Sequence, residues 1–132
     1  LIKKFMEAKE QRNPQVEIWG SGRATRDFIF VDDLARGILM ASEKGDSGEL
    51  FNVSSGVETS IQALAELIAE LTGFKGHIKW NTDRPEGQLR RYMDTTKSKQ
   101  YLGFTANTDL REGLQRTIKW FKENRTTVAR SL

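Results

Sequence analysis

Three arginines, a tryptophan and a glutamate are the residues of this chain whose types and spacing could grip an anion: Trp19, Arg26, Arg84, Glu86 and Arg90. A guanidinium presents a rigid fork of N–H donors that fits a phosphoryl group or a carboxylate. Trp19 adds a flat face for a ring, and an ionised glutamate accepts several hydrogen bonds, which suits sugar hydroxyls. Arg26 follows the turn Gly20-Ser21-Gly22, whose glycines let a ligand approach the backbone. Two readings of Arg26 stand at this level: an ion pair with Asp27 or another carboxylate, or a phosphate contact. The stretch Arg84-Pro85-Glu86-Gly87 with Arg90-Arg91 is likewise either a solvated turn with surface ion pairs or a second clamp for a pyrophosphate or sugar.

Composition removes most other chemistries. The 132 residues hold no cysteine and one histidine, so thiolate metal sites, cysteine nucleophiles and histidine-based triads are excluded within them. His77 reads as a strand-edge side chain, and Trp80 and Trp120 as core or interface residues. Asp32-Asp33 reads as a helix cap rather than a metal pair, because adjacent side chains point apart. No metal site is expected. With 37% hydrophobic residues, no bilayer-length apolar run and no signal-peptide start, the chain reads as soluble and cytoplasmic. Its net charge of +3 is spread through interspersed Lys, Arg, Asp and Glu, a weak pointer to anionic ligands rather than to nucleic acid or a membrane. The alternative is a small basic nucleic-acid-binding or non-catalytic interaction module.

The positioning elements follow from periodicity. A helix is predicted over 1–10, ended by Asn13-Pro14, and then a hairpin-like unit with Val16 and Ile18 in one arm and Phe28 to Val31 in the other. That second arm is apolar on both faces, as a strand covered on both sides would be. Asp32 is the predicted N-cap of a helix through Ala41, in which Gly37 either weakens the helix or admits a close neighbour. Leu50-Phe51-Asn52-Val53 reads as a short strand, with Asn52 bonding backbone at its end. Thr59 with Gln62 matches a capping box for a helix to Gly73. His77 to Trp80 reads as a strand, 81–87 as a loop, and Arg90 to Met93 as extended. Asp94 opens a short helix to Tyr101, and a last helix starts near Thr108. The tail 125–132 has little to bury and reads as loose. The fold class is α/β, or α+β for these residues alone, with a small mixed sheet.

Trp19-Gly20-Ser21-Gly22 followed by Arg26-Asp27-Phe28 and Val31-Asp32-Asp33 resembles the substrate-domain segment of the extended short-chain dehydrogenase/reductases. These are the nucleotide-sugar epimerases, dehydratases and reductases of the NAD-dependent epimerase/dehydratase family. Pro85-Glu86-Gly87, Arg90, Asp94 and Leu102-Gly103 continue the likeness nearly end to end, most closely with GDP-L-fucose synthase-like members. The resemblance implies the carboxyl-terminal part of a Rossmann-type two-domain enzyme. Residues 1–124 would bind a nucleotide-diphosphate sugar, with Trp19, Arg26 and Glu86 on substrate-binding positions and Arg84, ahead of Arg90, in the role of the loop arginine that meets the pyrophosphate in related epimerases. It further implies NADP or NAD held by an N-terminal cofactor domain preceding Leu1, homo-oligomerisation, and no catalytic or cofactor-binding residue in this stretch. The family's Tyr-x-x-x-Lys pair is absent: Tyr92 and Tyr101 are followed four residues on by Thr96 and Thr105. The stretch alone is therefore expected to be inert, and to self-associate through apolar surface around Asp32 to Val53. Glu86 is longer than the family's usual aspartate, and Arg23-Ala24-Thr25 departs from its turn, so sugar and base stay unassigned.

Overall fold

The computed structural model describes residues 1–46 and 48–125. Helix α1, Ile2–Glu10, and strand β1, Gln15–Trp19, place Phe5, Ala8, Val16 and Ile18 in one core with Leu64, Ala65, Ile68, Phe74 and Leu114. Their helical and alternating spacings put each set on one face. Phe5 and Phe74 meet edge to face with ring centres 5.5 Å apart. β1 runs parallel to β4, His77–Asn81, with Ile18 opposite Trp80. Helix α3, Ile61–Thr72, covers this pair, and α4, Leu110–Glu123, packs on α3 through Leu114.

A second sheet carries the candidate site. Its centre is β2, Thr25–Asp27, antiparallel to β3, Glu58–Ser60, and parallel to β5, Arg90–Arg91. Helix α2, Val31–Lys44, follows β2, and a π-helical turn, Ser98–Leu102, packs against α2. The fold is mixed α/β, as predicted, with two small sheets in place of one.

Several local expectations change. The arms around Gly20 and Gly22 belong to different sheets and form no hairpin, because the turn's backbone is used elsewhere. Gly20 N–H donates to Asn81 C=O at 2.8 Å, and the carbonyls of Gly22 and Ala24 accept from Gln62 and Ile61 at the start of α3. The second strand is Thr25–Asp27, and Phe28 to Phe30 lie beyond it. Phe30, not Asp32, is the N-cap of α2. Asp32 instead pairs with Arg116 on α4, and Asp33 reaches the backbone of Asn107 and Thr108. Leu50 to Val53 forms no strand, since no segment pairs with it among the described residues, though Asn52 does bond backbone, donating to the Asp94 carbonyl. α3 is capped by Ser60, whose hydroxyl accepts from Ala63 N–H, and Thr59 sits in β3. α4 is capped by Asp109. Of the tail, residues 126–132 lie outside the described residues; Arg125 at its start pairs with Glu10.

Gly37 admits a close neighbour: a Cβ there would stand 2.3 Å from Val53 Cγ1 and 3.0 Å from the Phe104 ring. Gly22, at φ +77°, similarly leaves room for the Trp80 ring, which would lie 2.8 Å from an added Cβ. No helix among the described residues is long and apolar enough to cross a membrane.

Candidate functional site

β2 carries Arg26 in the middle of the second sheet, in register with Thr59 on β3 and Arg91 on β5. The carboxylate reading of Arg26 is not realised. Asp27 accepts from Ser55 N–H at 3.0 Å, Ser55 Oγ at 2.5 Å and Gly56 N–H at 3.1 Å. Arg26 Nη1 donates to its neighbour Thr25 C=O at 2.6 Å, and among the described residues Arg26 pairs with no carboxylate. Its Nη2 stands 4.0 Å from the point where a Cβ on Gly87 would sit, so Arg26 and the 84–87 loop are neighbours.

That loop rests on the Trp19 turn. The Arg84 guanidinium lies over the Trp19 ring at 5.2 Å from its centre, a cation–π contact on a residue that is 58% exposed. Glu86 accepts from both the Ser21 N–H, at 3.1 Å, and the Ser21 hydroxyl, at 2.6 Å. The Ser21 hydroxyl bond is the main cause holding the Glu86 carboxyl below the usual glutamate range. Gly20 makes the crossing possible, because a Cβ there would come 3.0 Å from Glu86 Cγ.

Arg90 has the opposite fate. Its Nε and Nη2 grip Glu58 at 3.0 and 2.9 Å, and Thr25 donates its hydroxyl to the same carboxylate at 2.5 Å. For Arg90 the ion-pair reading holds. The structure thus sets the 84–87 loop against Trp19, Ser21 and Arg26, and leaves Arg90 tied to Glu58. The face is an open shelf, and the chain's larger cavities lie elsewhere among the described residues. One of about 470 Å³ is apolar and lined by Ile2, Phe28, Phe30, Leu64 and Leu114, and one of about 660 Å³ lies by Lys9, Arg12 and His77.

Sequence reasoning missed Ser21 as the partner of Glu86 and Glu58 as the partner of Arg90, which stand 65 and 32 residues away along the chain. It placed His77 correctly at a strand edge, where Nε2 lies 3.3 Å from Gln15 Oε1. Among the described residues, Arg90, Arg111, Arg116 and Arg125 are each paired with an acidic residue. Among the described residues no cluster could hold a metal ion.

The profile of the NAD dependent epimerase/dehydratase family matches residues 1–54. GDP-L-fucose synthase 1 of Arabidopsis thaliana is 38% identical over 124 residues, covering 94% of this chain and 38% of that protein. Over these residues the chain is similar to the NAD dependent epimerase/dehydratase family, and over most of its length to GDP-L-fucose synthases. Solved structures are similar as well. UDP-glucose 4-epimerase from Thermotoga maritima, with UDP-glucose, superposes with a TM-score of 0.80 at 34% identity, over 93% of this chain and 39% of that one. WbmF of Bordetella bronchiseptica, in complex with NADH, gives 0.81 at 34% identity, over 98% of this chain and 38% of that one. The chain therefore spans about two fifths of the length of these epimerase-family relatives.

The residues present do not fit the nicotinamide dinucleotide of this family. A dinucleotide pyrophosphate needs a glycine-rich turn from a strand into a helix N-terminus. Gly20-Ser21-Gly22 leads into β2, and β3 passes directly into α3 at Ser60 without a glycine.

Proposed function

We propose that the chain is the nucleotide-sugar-binding part of an NAD(P)-dependent epimerase or reductase of the GDP-L-fucose synthase kind, a cytoplasmic enzyme. Trp19 offers a ring face, and Arg26 and Arg84 supply the guanidinium forks for a diphosphate. Arg90 can join only after releasing Glu58. NADP or NAD is bound by the cofactor domain of the whole enzyme, and no group of this chain takes the reacting proton. What supports the reading is that Arg26 borders the 84–87 loop and that Arg84 of this loop stacks on Trp19, with neither cation paired with a carboxylate among the described residues. A titration of the chain with GDP-, UDP- and dTDP-sugars tests it, with an oligonucleotide alongside. Saturable binding of a nucleotide sugar is expected, and salt-sensitive binding of the oligonucleotide alone would favour the nucleic-acid module instead.

Residues 1–124 form this part, and its apolar face meets the cofactor domain. Val31, Ile38 and Leu39 on α2 are 64%, 58% and 62% exposed, beside Leu50 at 85%. Exposed apolar area of this kind drives association. The chain by itself is expected to self-associate in solution scattering at rising concentration; a monomer throughout would contradict the covered-face reading.

A further inference from the structure

We propose that Ser21 is a positioning residue of this site: it fastens Glu86, and through Glu86 seats Arg84 over Trp19. Glu86 then organises its own loop rather than receiving the ligand. The inference rests on the proposed nucleotide-sugar reading for its consequence, while the fastening itself exists without ligand.

Five contacts carry it. Ser21 N–H and Oγ both donate to the same oxygen of Glu86, Oε1. The stem of Glu86 lies across Gly20, close enough that an added Cβ would touch Cβ, Cγ and Cδ at 3.0 to 3.3 Å. Two residues before Glu86, Arg84 covers the Trp19 ring, and one residue after it, Gly87 faces Arg26 Nη2. Ser21 is itself held, because its Oγ accepts from Arg23 N–H and Nε, each at 3.3 Å.

The geometry makes one carboxylate the hinge pin between two loops 65 residues apart in sequence. Without it the 84–87 loop keeps the Arg84 stacking contact, the Arg84 N–H bond to the Asn81 carbonyl at 3.5 Å and the neighbouring strand, and the Arg84 cation would sample more positions. Ordering that side chain before binding lowers the entropy lost when a diphosphate arrives. A carboxylate aimed directly at a diphosphate would instead repel it.

The test has a ligand-free half and a ligand half. In the free chain, amide hydrogen exchange at Ser21 and the indole resonance of Trp19 report the fastening. Glu86→Ala is expected to accelerate the first and shift the second, leaving the Trp120 indole unmoved. In titrations with GDP and UDP, Ser21→Ala should weaken binding about threefold, because its N–H still donates. Glu86→Ala should weaken it about tenfold, and the double variant no more than Glu86→Ala alone. Glu86→Gln keeps an acceptor oxygen and should recover part of the loss. Unchanged exchange and indole signals in Glu86→Ala would overturn the proposal, as would losses that multiply in the double variant. Were neither nucleotide to bind the unaltered chain, the nucleotide-sugar reading would fail, and the ligand-free signals would still decide the fastening.

Discussion

Arg26→Ala is expected to weaken nucleotide-sugar binding about 10- to 100-fold, the loss of one or two hydrogen bonds to a charged group at about 1.5–3 kcal/mol. The expectation follows from where its guanidinium stands. One nitrogen donates to the Thr25 carbonyl at 2.6 Å, and the other faces Gly87 of the 84–87 loop with no carboxylate to neutralise it among the described residues. The fold should survive, because Arg26 is half-buried at the sheet surface and lies outside the cluster around Phe5 and Ile68. Arg90→Ala is the internal control. Its fork is closed on Glu58, so a ligand must displace that carboxylate before Arg90 can contribute, and its loss should weaken binding less than about threefold. Calorimetric titration of both variants checks the pair, and equal losses would show that the Glu58 contact does not hold Arg90 back.

Asp33→Ala is expected to cost about 3 kcal/mol of stability, roughly 10 °C in Tm, while leaving the shelf residues in place. Asp33 is only 4% exposed. One oxygen accepts from Asn107 and Thr108 N–H at 3.1 and 2.8 Å, and the other receives Arg36 at 2.8 Å. Removing the carboxylate leaves two backbone donors without their acceptor and takes the ion pair from Arg36, which keeps only the Thr105 carbonyl as an oxygen acceptor among its hydrogen bonds in the described residues. Burial raises the Asp33 pKa, but the bonds from Arg36, Thr108 and Asn107 outweigh it and hold the group at about 2. Its folded pKa lies below the value of 3.8 for an unperturbed aspartate, so the stabilisation is present above that value and is lost as pH falls toward about 2. The shift corresponds to roughly 2 kcal/mol. Denaturant unfolding at about pH 7 and about pH 2.5 should therefore show a large gap between the two proteins at neutral pH and a smaller one in acid. A gap of the same size at both pH values would mean that Asp33 acts through packing alone.

The helices were legible because each carries its own signal. In α3, Ile61, Leu64, Ala65 and Ile68 recur at helical spacing and Gly73 closes the helix at φ 73°, so no distant residue is needed to recognise it. Strands depend on partners. Thr25–Asp27 has little strand character of its own and is a strand because residues 58–60 and 90–91 flank it. Leu50 to Val53 has the composition of a strand and lacks a partner among the described residues. Asp33 looked like part of a cap because its neighbours in sequence suggested one, whereas its bonds run to residues 74 and 75 positions away. The same logic divides the site. The chemical aptitude of Trp19, Arg26 and Arg84 could be read from residue type, and their family resemblance pointed to a common ligand. That Arg90 closes on Glu58 and Glu86 on Ser21 is a matter of folded geometry, with no local pattern to announce it.

The most direct test of the central claim is to map where a nucleoside diphosphate touches the chain. In a heteronuclear NMR titration with GDP and UDP, the account predicts perturbations at the Trp19 indole, the Ser21 and Gly22 amides, Arg26 and residues 84–87. His77 and Lys75, on the far cavity, should stay unmoved. Perturbations confined to that cavity, or spread evenly over the surface cations, would contradict it.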